Sequence, residues 1–207
     1  MNPPRWRRQP ERGDLAHRTN GQQWCCRATR FDGGDAGAER DGEPLAKALA
    51  TRAVTCVSPL SAEFRRALNG SVVAVFPRFS SLADRITIED VVQDEARFVM
   101  QLHAPHGIEP SVEIVGVEPT EAEIVRTAEA ARRADATILF LYDAHLYRSN
   151  RALLDALQQA ARALGVVLMR DPWDAEYLAP GVSGTTAYGW RRCQLEAALA
   201  RLLTPSA

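Results

Sequence analysis

From residue 72 onward, short apolar runs alternate with longer stretches in which apolar residues recur every three or four positions. The run VVAVF at residues 72–76 is continuously apolar, which predicts a strand covered on both faces. Residues 95–103 place Phe98, Val99 and Leu102 on one helical face, and residues 112–117 (VEIVGV) predict a second strand. Residues 120–134 carry a full helix-start signal. Thr120 and Glu123 form a capping box, and Ile124, Val125, Ala128 and Ala131 make one stripe. Residues 136–142 (ATILFLY) predict a third strand. Residues 151–164 then predict a helix with Leu153, Leu154, Leu157, Ala161 and Leu164 inward, ended by Gly165. Residues 166–169 (VVLM) predict a fourth strand, residues 185–188 a short one, and residues 191–203 a closing helix. Strands alternating with helices of this length predict an α/β fold, a three-layer α/β/α sandwich around a mostly parallel sheet.

Upstream the pattern changes. Residues 1–44 hold Pro3, Pro4, Pro10 and Pro44 with several glycines and no sustained apolar period. Such a stretch buries too little surface to offset the entropy of ordering it, so a poorly ordered tail is expected. Residues 45–57 (LAKALATRAVTCV) are alanine-rich and helix-prone, with Pro59 as the stop. The expected organisation is a tail at 1–44, a linker helix region at 45–70 and a sandwich domain at 71–207.

Composition narrows the partners. The 207 residues are 46% hydrophobic and 25% charged with a formal net charge of -1, so no whole-chain field recruits nucleic acid or an anionic membrane. Of the basic residues 24 are arginine and only Lys47 is lysine, but the arginines are scattered rather than clustered. Cys25, Cys26, Cys56 and Cys193 form no CxxC pair, which points away from a structural zinc site and toward a reducing, cytoplasmic setting. No apolar run reaches the ~20 residues that span a bilayer, and the basic N-terminus lacks the apolar stretch of a secretion signal.

Candidate chemistry lies where ligands gather in open α/β sheets, beyond the carboxyl ends of the strands. Asp143 and His145 follow the third strand, and Arg170, Asp171, Trp173 and Asp174 follow the fourth. These six residues suit a ligand or interface rim, with the indole stacking on a pyranose ring. Alternatively, Asp171 and Asp174 cap a short helix while Arg170 pairs with one of them. Other arrangements are missing. There is no G-x-S-x-G elbow, no G-x-G-x-x-G after a strand and no Walker-type loop. The glycine-bearing stretch 181–189 precedes no phosphate-binding pattern. Pro105 between His103 and His106 breaks a metal-pair face, so both are expected in a surface loop. No cofactor, metal or catalytic residue is assigned.

The same residues carry a family resemblance. The helix-prone stretch 45–57 with its closing Thr55 and Val57, the Ala134-Asp135-Ala136 entry into a strand ending in Tyr142-Asp143-Ala144-His145, the Arg170-Asp171-Pro172-Trp173-Asp174 turn, and the TTAYG ending before Leu195-Glu196-Ala197 come in one order. That order resembles the C-terminal sandwich domain of family 3 glycoside hydrolases, nearest in flavour to the bacterial β-N-acetylglucosaminidase branch. Asp171 and Trp173 depart from the family's Arg-Asn-Pro-Tyr-Asp turn. The resemblance implies that the nucleophile and the histidine–aspartate acid/base pair belong to a separate barrel, which takes ~250 residues. The family's Lys-His-Phe-Pro-Gly-His-type loop has no counterpart here, so no catalytic residue carries over. An accessory domain is implied, with a barrel domain, a second copy or a carbohydrate as candidate partners. A sugar-binding or protein-interaction module, or a stand-alone enzyme of flavodoxin-like layout using Asp143, His145 and Arg170, are the alternatives.

Overall fold

The computed structural model describes residues 36–82 and 94–204, with the backbone alone for 36–41. Of the tail expected at residues 1–44, residues 1–35 lie outside the described residues, and residues 36–44 fall within a helix that runs to Ala53. Alternating side chains build the core. Val72, Ala74 and Phe76 of one strand join Ile138 and Phe140 of its neighbour in one apolar cluster, while Val75, Leu139 and Leu141 join a second cluster across the sheet. That division is what a period of two produces when both sheet faces are covered.

Six strands form the sheet: β1 (Thr55–Ser58), β2 (Val72–Pro77), β3 (Ser111–Val115), β4 (Ala136–Leu141), β5 (Leu164–Leu168) and β6 (Ser183–Thr186). Their order is β1-β6-β5-β4-β2-β3, parallel throughout except for β1, which pairs antiparallel with β6 at the edge. The helices are α1 (Ala36–Ala53), α2 (Ala62–Ala67), α3 (Glu95–His103), α4 (Glu121–Arg133), α5 (Arg148–Ala160) and α6 (Arg192–Leu203). Phe64 of α2, Phe98 and Leu102 of α3 and Leu195 and Leu199 of α6 cover one face, and α1 packs against α6. Ala131 of α4 and Leu153, Leu154 and Leu157 of α5 cover the other. The three-layer sandwich and the single sheet holding β2, β3, β4 and β5 are as the sequence pattern predicts.

Several local expectations are corrected. The helix through residues 45–57 starts earlier, at Ala36, and ends at Ala53, and Thr55–Ser58 form β1 instead. Thr55 is β-branched and pairs with Thr186 of β6, and that ladder, with a register shift at Val57, outweighs the propensity of the preceding alanines. Gly165 does not cap α5, which ends at Ala160; it lies inside β5. His103 is fully buried on α3 rather than in a surface loop, its Nδ1 2.8 Å from the Val99 carbonyl oxygen. The capping box is formed as expected, with Thr120 Oγ1 accepting from Glu123 N and Glu123 accepting from Thr120 N.

The chain runs from β2 outward to β3, then back across β2 to β4. The direction therefore reverses between β2 and β4, and the carboxyl ends of these strands flank the crevice where open α/β sheets hold ligands. No helix among the described residues is long and apolar enough to cross a membrane.

Candidate functional site

Two loops meet beside that crevice, at the carboxyl ends of β4 and β5. The first leaves β4 at Asp143, which turns with φ +43°, a left-handed conformation that only special contacts hold in a residue other than glycine. Its carbonyl accepts from Leu146 N at 3.0 Å and Tyr147 N at 2.9 Å, so the chain folds straight into α5. The second loop leaves β5 at Met169 and passes through a 3-10 turn, Trp173–Tyr177. Because β4 and β5 are adjacent, residues 27 to 30 positions apart come into contact.

Asp143 is only 2% exposed, and its Oδ2 accepts from Arg170 Nη1 at 2.5 Å. Burial pushes the Asp143 carboxyl above the ordinary carboxylate range, and the Arg170 guanidinium offsets part of that rise. Asp174 is buried too, at 3% exposed, and accepts three N–H bonds from the first loop. They come from Ala144 N at 2.9 Å, His145 N at 2.7 Å and His145 Nδ1 at 2.8 Å. A carboxylate in that position fixes the imidazole as an Nδ1–H donor and leaves Nε2 as the working nitrogen.

The pairing differs from the alternative drawn from sequence. Arg170 pairs with neither neighbouring aspartate but with Asp143, and Asp174 caps no helix but holds the opposite loop. Asp171 stays local, accepting from Trp173 N at 3.0 Å through Oδ1. Trp173 is 70% exposed and its indole stands outside the polar cluster as a free apolar surface. One ligand atom each from Asp143, His145 and Asp171 lies within 4.8 Å of the others.

Residues not singled out from sequence complete the site. Asn150 of α5, buried, donates through Nδ2 to the Tyr142 carbonyl at 2.7 Å and the Val117 carbonyl at 2.9 Å, joining the ends of β4 and the segment after β3. A polar residue on the same stripe as Leu153, Leu154 and Leu157 was its available signal. Beneath the loops Phe79, Tyr142, Tyr147 and Trp190 form a chain of ring contacts with centroids 5.3 to 6.1 Å apart. Tyr188, beyond β6, is with Asp143 the other described residue besides glycine with positive φ, at +55°.

The arrangement defines a class: an open, flavodoxin-like α/β sandwich with a charged loop cluster at the carboxyl ends of β4 and β5. Solved structures of family 3 glycoside hydrolases contain the same fold. A family 3 β-N-acetylglucosaminidase from Paenibacillus sp. matches 85% of this chain at a TM-score of 0.65 and 22% identity, over 33% of its own length. A fungal multi-domain family 3 β-N-acetylglucosaminidase matches 82% at 0.60 and 18% identity, over 19% of its length. A family 3 β-glucosidase from Bifidobacterium adolescentis matches 85% at 0.57 and 14% identity, over 28% of its length. The chain thus has the fold of the C-terminal portion of these glycosidases and spans a third or less of their length. No family model and no curated protein matches the chain.

Proposed function

We propose that this chain is an accessory sandwich of a family 3 glycoside hydrolase, of the β-N-acetylglucosaminidase type, and does not itself cleave glycosidic bonds. The observation that carries the reading is the coverage: most of this chain matches a minor part of a β-N-acetylglucosaminidase. Glycoside hydrolysis needs two placed carboxyl-type groups, or a nucleophile with an acid/base partner. The two buried carboxylates of the loop cluster are already engaged, Asp143 by Arg170 and Asp174 by the loop that carries His145. The loop cluster then serves as a wall facing a barrel domain, with Trp173 as its apolar contact. A cytoplasmic setting belongs to the same proposal, supported by the free thiols of Cys56 and Cys193.

A chromogenic β-N-acetylglucosaminide, offered to the purified 207-residue chain, tests the activity. No turnover above a trace is expected. Turnover that survives purification and is lost in Asp174→Ala would overturn the reading. A second reading, a stand-alone sugar-binding module, is favoured by the bare indole of Trp173. Calorimetric binding of N-acetylglucosamine that disappears in Trp173→Ala would select it.

A further inference from the structure

We infer that Arg126 and Glu113 together close the β3 edge of the sheet to strand pairing by a second copy of this chain. The inference stands on backbone direction and two side chains and does not depend on the glycosidase reading.

β3 ends the sheet, so one side of its backbone has no neighbouring strand. The bonds show which groups face that side. Arg78 N donates to the Val115 carbonyl at 2.7 Å, so Val115 faces β2, and Glu113 and Ser111 face it at the alternate positions. Val112, Ile114 and Gly116 therefore turn their N–H and C=O groups outward. Side chains of α4 take two of these groups. Arg126 Nη2 donates to the Ile114 carbonyl at 3.1 Å, and Glu123 Oε1 accepts from Gly116 N at 3.1 Å. The Val112 N–H, the Val112 carbonyl and the Ile114 N–H take no bond from the described residues.

A row of such groups is a template for another strand, and this one is complementary to itself. In an antiparallel two-fold arrangement, Val112 of each copy would stand opposite Ile114 of the other, and each pair would exchange both N–H···O bonds. Two obstacles stand in that register. The guanidinium already holds the Ile114 carbonyl and lies across the edge, braced through Nε on Glu113 Oε2 at 3.0 Å. If it swings away, Glu113, at the centre of the register, meets Glu113 of the second copy, and like charges directly opposite each other disfavour pairing. Arg126 neutralises Glu113 only from a position that also blocks the edge. Closure therefore survives the loss of either residue alone.

The test is sedimentation velocity of the 207-residue chain and its variants across about 10–300 µM, where mass action exposes weak dimers. Glu113→Thr/Arg126→Ala should associate with rising concentration beyond whatever the parent shows, while each single variant keeps the parent's mass. Adding Val112→Pro to the double variant should restore the parent's mass, because proline deletes an outward N–H and leaves the ladder with β2 intact. Far-UV circular dichroism checks that each variant keeps its fold. The parent supplies a measurement that needs no variant: its Val112 and Ile114 amides should exchange hydrogen faster than those of Glu113 and Val115. A folded double variant no more associated than the parent, association that persists with Val112→Pro, or equal protection of all four parent amides would each overturn the inference.

Discussion

The ring of Phe64, on α2, fills the space that a side chain at Gly165, near the start of β5, would occupy. A Cβ there would meet the ring itself, in a cluster where Phe64 has no exposed surface. The glycine is kept for that close approach and not for any special backbone conformation. Gly165→Ala should destabilise the fold by about 1–3 kcal/mol, the usual range for overpacking, seen as a lower denaturant midpoint at unchanged slope. Combining it with Phe64→Leu should recover part of the loss, because the two residues share one volume.

Asn150 carries two carbonyls on one amide nitrogen. Asn150→Leu would leave the Tyr142 and Val117 oxygens without that donor, at a cost of about 1–3 kcal/mol. Hydrogen exchange should show faster opening at the start of α5 than in the parent chain, while β2 and β5 keep their protection.

Asp174 is the hinge pin of the two loops. Asp174→Ala strips the acceptor from two backbone amides and from the His145 ring, and should cost about 1–3 kcal/mol in a urea titration. The His145 ring resonances should broaden or shift in nuclear magnetic resonance spectra, since the ring loses its fixed orientation. A variant as stable as the parent would mean that the bonds to Asp174 are replaced by water without penalty.

His103 sets a pH dependence. Burial holds its imidazole below the ordinary histidine range, the Val99 carbonyl opposes that in part, and neighbouring His106 adds to the lowering. Its Nε2 has no partner in the core. The unfolded chain takes up a proton near pH 6.5, and the folded chain only at lower pH. Stability from this group is therefore flat above about pH 6.5 and falls as the pH drops below it, by at most about 1.4 kcal/mol per pH unit. Thermal melts from pH 7.5 to 5.5 should show that fall, and His103→Leu should flatten it.

How much of this was legible can be followed residue by residue. The limits of α3 and the capping box of α4 were plain, because periodicity and capping are local. Thr55–Ser58 were not, since their pairing partner lies near the other end of the chain and the preceding alanines favour continued helix. His103 was misplaced because Pro105 drew attention to the break, although His103 shares its helical face with Val99 and Leu102. The site residues were visible as polar positions directly after apolar strands. Their pairings were not, because joining Asp143 to Arg170 and His145 to Asp174 requires knowing that β4 and β5 are neighbours.

The antiparallel edge strand has a consequence for synthesis. Ser58 Oγ donates to the Val182 carbonyl oxygen 124 residues later, and α1 docks on α6. At about 5–20 residues per second on the ribosome, β1 waits roughly 6–25 s for its partner to be made. Until then its backbone donors and acceptors face water or whatever strand diffuses past. The first strand of the sheet is thus the last to be paired. A nascent chain halted before β6 should be open to proteases between α1 and α2 and closed to them once residues 183–203 have emerged.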